Sequence, residues 1–195
     1  MRREEITAIV LCGGSGVRLG GTDKPLTQVH GRPLVEYVLR ALEPQVGAFV
    51  LAVGRDPERY EALGRPTSVD VQPGDGPLGG IVSALPEVGS EWILTHPADV
   101  PFADAALVSR LAPAAETTGV AVPRGGGRRQ NLVLLLSRGR ADELARFYRS
   151  GGRAVRHWLD EIGVESVDMT DVAESFFNVN TAADLEAAVQ RLRVR

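Results

Sequence analysis

The residues best suited to chemistry lie in one stretch near the start of the chain, ITAIVLCGGSGVRLGGTDK, from Ile6 to Lys24. Its opening run is apolar, rich in β-branched residues and too short for a buried helix, so it predicts a central strand over Ile6–Leu11. Five glycines follow, with Arg18 and Lys24 set among them. Glycine lets the backbone approach a ligand closely, and successive N–H groups in such a loop form a nest for phosphate oxygens. The stretch therefore predicts a polyphosphate site.

Two common phosphate motifs do not fit this stretch. A P-loop has lysine directly after its last glycine, whereas Thr22 and Asp23 separate Gly21 from Lys24. The dinucleotide fingerprint would need its third glycine at Leu19, which argues against a nicotinamide dehydrogenase. A plain glycine-rich turn is the remaining alternative, but such a turn has no use for an arginine and a lysine at fixed spacing.

Length and composition exclude several classes of protein. The 195 residues predict a single domain over 1–195. A net charge of -3 and an aromatic share of 5% leave no basic field and few stacking residues for nucleic acid. The single cysteine, Cys12, excludes an internal disulfide and fits a reduced cytosol. Because no apolar stretch approaches the ~20 residues that span a bilayer and no signal peptide is evident, we expect a cytoplasmic protein without membrane contact.

Strands alternate with helices over the first half of the sequence. This order predicts a mostly parallel sheet covered on both faces, with ligands bound beyond the carboxyl ends of its strands. We expect a helix over Ala103–Leu111 and a helix over the last residues, capped by Thr181 with Asp184. The loops expected to converge on one cleft are Cys12–Lys24, Val53–Arg55, Gln72–Gly80 and His96–Pro101.

Two of these loops contain further candidate groups. Asp99, between prolines at the end of a buried strand, is well placed to bind a hard cation such as Mg²⁺. Alternatively Asp99 caps a helix beginning at Phe102, although Asp104 is also placed for that. The loop GDGPLGG, Gly74 to Gly80, could present fixed backbone groups to a base edge, or could be a tight turn before a helix.

The pattern L-x-G-G-x-G-x-R-x-G-G-x-D-K resembles the nucleotidyltransferase family, and its Asp-Lys ending resembles the molybdenum cofactor guanylyltransferase branch. The resemblance implies a three-layer α/β/α, Rossmann-like nucleotidyltransferase fold with a mostly parallel central sheet. It implies Arg18, Lys24 and Asp99 as catalytic residues, Asp99 as the Mg²⁺ ligand, and Asn180, in the element FNVNT, as a substrate-binding residue near the metal and the phosphates. The nucleotide-binding residues that it implies are Leu11, Cys12, Gly13, Gly14, Lys24, Asp70, Pro77, Leu78 and Asp99.

The sequence departs from this family pattern at several positions. His96 and Pro97 replace the usual residues before the metal aspartate, and we expect His96 to be structural. Gly79 stands where the family has alanine in G-P-L-A-G, and Cys12 is expected to be a small buried residue rather than a nucleophile, since no base is spaced to activate it. The residues that could meet an anionic second substrate, or equally be solvated, are Arg128, Arg129, Gln130, Gly152 and Arg153.

The resemblance implies transfer of GMP from GTP to the terminal phosphate of molybdenum-bound molybdopterin, with release of pyrophosphate. Mg²⁺ on Asp99, with Lys24 and Arg18, would offset the repulsion between the two anionic substrates. We expect a monomer that contacts molybdenum cofactor delivery proteins transiently. The alternatives are a related nucleotidyltransferase that uses CTP or a different phosphate acceptor, and a catalytically silent nucleotide-binding protein.

Overall fold

The fold consists of ten strands and six α-helices within the residues that the computed structural model describes, which are 1–13, 23–72 and 74–192. Short 3₁₀ segments at Lys24–Leu26 and Pro57–Leu63 lie beside the candidate site. The strands are β1 Ile6–Leu11, β2 Gln28–Val29, β3 Arg32–Pro33, β4 Ala48–Val53, β5 Thr67–Val69, β6 Trp92–Pro97, β7 Val120–Gly125, β8 Arg128–Arg129, β9 Leu134–Ser137 and β10 Ser166–Asp168. The helices are α1 Leu34–Leu42, α2 Gly76–Ala84, α3 Leu107–Thr118, α4 Arg138–Arg149, α5 Val155–Glu161 and α6 Ala182–Leu192.

The predicted central strand β1 lies in the middle of the main sheet, whose strand order is β10-β7-β9-β6-β1-β4-β5. Strands β6, β1, β4 and β5 are parallel, with Val10 opposite both Leu51 and His96. Strand β9 runs antiparallel between β6 and β7, and β10 pairs with β7 in parallel. The prediction of a mostly parallel sheet is therefore confirmed, and the carboxyl ends of the four parallel strands share one edge.

Helices cover both faces of this sheet, and β1 is therefore buried along its whole length. Its alternate residues belong to two separate core clusters, as the two-residue period of a strand requires. One cluster contains Val10 and Cys12 with apolar residues of α1 and α3, and the other contains Ile9 and Leu11 with apolar residues of α2, α4 and α5. The predicted three-layer α/β/α architecture is confirmed by this arrangement.

Two predicted boundaries were wrong. The stretch Gln72–Gly80 is not a loop throughout, since α2 begins at Gly76 and places Pro77 in its first turn, where proline has no N–H to lose. The helix expected over Ala103–Leu111 begins only at Leu107, after a turn in which the amide of Ala106 donates to Asp104 Oδ1 at 2.9 Å.

The last helix, α6, has the predicted capping arrangement. The amide of Asp184 donates to Thr181 Oγ1 at 3.1 Å, and the amide of Thr181 donates to Asp184 Oδ2 at 2.8 Å. The helix packs on a third core cluster that includes Phe102 and Val179. Among the described helices, none combines the length and the apolar character needed to cross a bilayer.

Candidate active site

Lys24 is the centre of the candidate site. Its ammonium Nζ donates to Asp99 Oδ2 at 2.7 Å and to Asn180 Oδ1 at 2.6 Å. The side chains of Lys24 and Asp99 are 14% and 25% exposed, so the ion pair is shielded but reachable from solvent. Lys24 is also the chain's only lysine, the other 21 basic residues being arginines. Three predicted site residues from distant parts of the sequence are thus brought together.

Backbone hydrogen bonds anchor Asp99, and its carboxylate faces Lys24. The amide of the preceding residue, Ala98, donates to the carbonyl of Leu11 at 3.0 Å, which ties this turn to the end of β1. The carbonyl of Asp99 accepts from the amide of Val179 at 2.8 Å, which ties it to the segment before α6. Helix α3 begins only at Leu107, with Ala106 as its N-cap residue, so Asp99 does not cap this helix.

Asn180 is fixed by the cap of α6. Its amide donates to Asp184 Oδ2 at 3.0 Å, while its exposed side chain turns towards Lys24. A motif that the sequence suggested for both capping and substrate binding can therefore serve both, with Thr181 at the cap and Asn180 at the site.

The oxygen atoms around Lys24 suit a hard cation. Asp99 and Asn180 each present a side-chain oxygen to the same positive charge, and oxygen is the ligand that Mg²⁺ prefers. Within the described ranges, no group of three or more acidic, histidine or cysteine side chains could hold a metal without help. The donor set thus fits an ion that completes its coordination with substrate phosphates and water.

Asp70, the other predicted carboxylate, lies in a narrow space beside the end of β1. A Cβ atom on Gly13 would lie 3.4 Å from its Oδ2, and one on Gly80 would lie 3.2 Å from its Oδ1. Its Oδ1 is buried and has no hydrogen-bond partner among the described residues. Burial raises the pKa of Asp70 above its usual range. An unsatisfied carboxylate oxygen in a cleft is positioned to accept a hydrogen bond from a ligand.

The end of β1 supplies close backbone packing. A Cβ on Gly13 would lie only 2.9 Å from the amide nitrogen of Gly54, so this position has room only for glycine. The amides of Cys12 and Gly13 both donate to the carbonyl of Ala52, at 2.8 and 3.0 Å, and are not available to a phosphate. Burial raises the pKa of the Cys12 thiol, in agreement with a packing role. The predicted residues Gly14 and Arg18 lie outside the described part of the chain.

The predicted base-binding loop is the first turn of α2. The side chain of Leu78 is completely buried in the core, so Leu78 could contact a base only through its backbone, whereas Pro77 is exposed. Asp75 precedes the helix, and its Oδ2 accepts from the Tyr148 hydroxyl at 2.5 Å. A Cβ on Gly79 would lie 3.0 Å from Asp75 Cβ, which accounts for glycine where the family pattern has alanine.

Some of the residues suggested for a second substrate already bind other groups of the protein. Arg129 pairs with Asp160, Nη2 to Oδ1, at 2.5 Å, and Gln130 donates to the carbonyl of Gly125 at 3.0 Å. Arg153 stacks on the Tyr148 ring, 5.0 Å from its centre, and is 51% exposed. Arg128 is exposed in β8, the short strand that pairs with the end of β7.

Sequence reasoning missed two contacts and one buried polar atom near the site. The two contacts, Tyr148 with Asp75 and Tyr60 with Asp23, join residues far apart in the chain, and no spacing could have paired them. The buried atom belongs to His96, which was expected to be structural and is completely buried. Its Nε2 has no partner among the described residues, and burial lowers the pKa of His96 to about 4.

Comparison with known proteins adds to this geometry. Residues 8–166 match the MobA-like NTP transferase domain. The chain belongs to the MobA-like NTP transferase family. The enzyme class predicted from the glycine stretch, a nucleotidyltransferase, is confirmed by this match. Enzymes of this family generally use a divalent metal.

Individual proteins match nearly the whole chain. The molybdenum cofactor guanylyltransferase of Cupriavidus taiwanensis is 34% identical over 193 residues, which cover 95% of this chain and 96% of that protein. The crystal structure of molybdopterin-guanine dinucleotide biosynthesis protein A from Archaeoglobus fulgidus superposes with a TM-score of 0.73 at 26% identity, covering 97% of this chain and 100% of the other. A nucleotidyl transferase from Methanothermobacter has a TM-score of 0.78 at 21% identity over 98% of this chain and 99% of its own, and supports the fold alone.

Proposed function

We propose that this nucleotidyltransferase transfers GMP from GTP to the terminal phosphate of molybdenum-bound molybdopterin and releases pyrophosphate. Relatives that carry the name molybdenum cofactor guanylyltransferase match the chain over most of its length and support this reaction. The observation that carries the proposal is the placement of the Lys24 ammonium between Asp99 and Asn180, at the carboxyl edge of the parallel strands.

The reaction brings two anions together, and the described residues supply the opposing charge. In the proposal, Lys24 donates hydrogen bonds to the phosphates of GTP and stabilises the negative charge that develops on the departing pyrophosphate. Asp99 would hold Mg²⁺, with Asn180 beside the metal and the phosphates, and the bound ion would neutralise phosphate charge. The acceptor phosphate is already an anion near neutral pH, since phosphomonoesters have a second pKa of about 6, so the reaction needs no strong base. Catalysis then consists of positioning and electrostatics.

Asp70 is proposed to accept a hydrogen bond from the nucleotide. Its buried Oδ1 lies against Gly80 of α2, and backbone groups near Pro77 and Leu78, at the start of the same helix, are proposed to meet the base. A ligand N–H or O–H at Oδ1 would satisfy the oxygen that has no partner within the described residues, and this supports the assignment. Arg18 and Gly14 are proposed to contact the phosphates, as the family pattern implies.

Several further points stay proposals. GTP and a molybdopterin acceptor follow from the enzyme family. We propose that the enzyme acts as a monomer and as one domain over 1–195, and that it contacts molybdenum cofactor delivery proteins transiently. The buried free thiol of Cys12 supports work in the reduced cytosol.

The test is a pyrophosphate release assay with Mg²⁺ and molybdenum-bound molybdopterin, run in parallel with GTP and with CTP. The proposal expects release that requires both the acceptor and GTP, and tighter binding of GTP than of CTP in a titration. Release with CTP alone would favour a cytidylyltransferase. Binding of GTP without any release would favour the silent nucleotide-binding protein.

A further inference from the structure

Asp23 and Lys24 are neighbours in the chain but bind different partners. The Asp23 carboxylate turns away from the candidate site, and its Oδ2 accepts from the Tyr60 hydroxyl at 3.0 Å. The guanidinium of Arg59, at Nη1, lies 3.9 Å from the same oxygen. The Lys24 ammonium instead reaches Asp99 and Asn180. Two anchored side chains in succession fix the course of the backbone between them.

Tyr60 is a rigid anchor for this arrangement. It lies in the 3₁₀ segment Pro57–Leu63, is 1% exposed and packs in the same core cluster as Cys12. Burial, with a smaller contribution from the Asp23 carboxylate, raises the pKa of Tyr60, so its hydroxyl remains a neutral donor. A buried donor is costly to leave unpaired, so the bond to Asp23 holds both residues in place.

The bond joins the elements that follow two adjacent strands. Pro57–Leu63 follows β4, and Asp23 follows the stretch after β1, which pairs with β4. Leu26 donates its amide to the carbonyl of Asp23 at 2.9 Å, so the carboxylate and the turn that carries Lys24 move together. A shift of Asp23 would therefore move Lys24 relative to Asp99.

We propose that Tyr60 is a positioning residue, which acts through Asp23 to hold the Lys24 ammonium on Asp99 and Asn180. The catalytic consequence rests on the proposed function. The positioning of Lys24 by Tyr60 does not depend on that function. It also gives Asp23 a structural role, which the sequence did not indicate.

The direct test uses the fact that Lys24 is the only lysine. Amine acylation followed by peptide mass spectrometry then reports on one side chain besides the terminal amine. In Tyr60→Phe the ring remains and only the hydroxyl is lost, and we expect acylation of Lys24 several-fold faster than in the unmodified protein. Tyr37→Phe is the matched control, because the Tyr37 hydroxyl donates to the carbonyl of Val29 at 2.8 Å, away from Asp23.

Kinetic measurements test the consequence for catalysis. We expect Tyr60→Phe to lower kcat by about tenfold to a hundredfold, the scale of a small misplacement of a reacting group. The KM for GTP should change little, since the other nucleotide contacts remain. Asp23→Ala should have the same effect, Asp23→Asn should restore part of the activity because it keeps an acceptor oxygen, and Tyr60→Phe should add nothing to Asp23→Ala.

The positioning role of Tyr60 and the proposed function can be disproved independently of each other. An unchanged acylation rate in Tyr60→Phe overturns the positioning role, whatever the activity. If the unmodified protein releases no pyrophosphate but Tyr60→Phe exposes Lys24 to acylation, the positioning role stands and the proposed function falls.

Discussion

Lys24 and Asp99 are 75 positions apart in the chain, and their side chains meet in an ion pair of 2.7 Å between Nζ and Oδ2. Asn180 joins them from a third part of the sequence. The carboxyl edge of the parallel strands is the feature of the fold that makes this meeting possible, since β1 and β6 are neighbours there. The predictions below follow from this cluster and its surroundings.

Replacing Lys24 removes the positive charge between Asp99 and Asn180. We expect Lys24→Met to lower kcat for pyrophosphate release on the order of a hundredfold or more, the loss seen when an electrostatic donor is removed. Lys24→Arg keeps the charge but carries a planar fork in place of a compact ammonium, so it should recover only part of the rate. Near-normal turnover in Lys24→Met would exclude the mechanism.

Asp99→Asn should weaken metal binding rather than the fold. Loss of an outer partner of a metal ligand typically costs about 10–100-fold in metal affinity, and loss of the ligand itself should cost at least as much. The Mg²⁺ concentration for half-maximal activity is the quantity to measure. The control is Asp104→Asn, since Asp104 is a nearby carboxylate whose Oδ1 accepts from the amide of Ala106 in the turn before α3. Equal Mg²⁺ requirements in the two variants would remove Asp99 as a ligand.

Asp70→Asn should weaken nucleotide binding and stabilise the protein. The amide oxygen of asparagine still accepts a hydrogen bond but carries no charge, so the bond is weakened and the KM for GTP should rise several-fold. Because burial raises the pKa of Asp70, its charged form opposes folding at neutral pH. The gain in melting temperature should therefore be present at pH 7 and shrink as the pH falls below the folded pKa.

The control for Asp70→Asn is Asp142→Asn, which removes one negative charge from an exposed position on α4. This variant should leave both the KM and the melting temperature unchanged. A loss of stability in Asp70→Asn, with the KM unaltered, would contradict the proposed nucleotide contact.

Much of the fold could be predicted from local patterns. The apolar run Ile6–Leu11 identified β1, and the alternation of strands and helices gave the parallel arrangement, from which the meeting of Lys24 and Asp99 followed. The start of α2 was missed because glycine and proline usually interrupt helices. Here Gly79 and Gly80 lie inside the helix, and Asp75 and Asp70 pack against them and leave little room for a side chain, which accounts for glycine at both positions.

Contacts between distant residues could not be read from the sequence. The pairing of Tyr60 with Asp23 depends on β4 lying beside β1, and the missing partner of His96 depends on the packing around β6. Both features arise from tertiary structure, and no spacing along the chain indicates them.

His96 predicts a loss of stability in mild acid. It is neutral in the folded protein, where burial lowers the pKa of His96 to about 4, but it takes up a proton below its ordinary value of 6.5 when unfolded. Stability should therefore fall as the pH drops from 6.5 towards 4, by about 2 kcal/mol at pH 5. Urea unfolding at pH 7.5 and pH 5 measures this loss.

In His96→Leu the acid-dependent part of that loss should disappear. His157→Gln, at an exposed position on α5, should retain it and serves as the control. A His96→Leu variant that loses as much stability between pH 7.5 and pH 5 as the unmodified protein would show that another group is responsible.

The most direct measurement is mass spectrometric detection of the product after incubation with GTP, Mg²⁺ and molybdenum-bound molybdopterin. We expect molybdopterin guanine dinucleotide in amounts equal to the pyrophosphate released, with neither formed by Lys24→Met above background. Absence of the dinucleotide with the unmodified enzyme, or its undiminished formation by Lys24→Met, would contradict the proposed function.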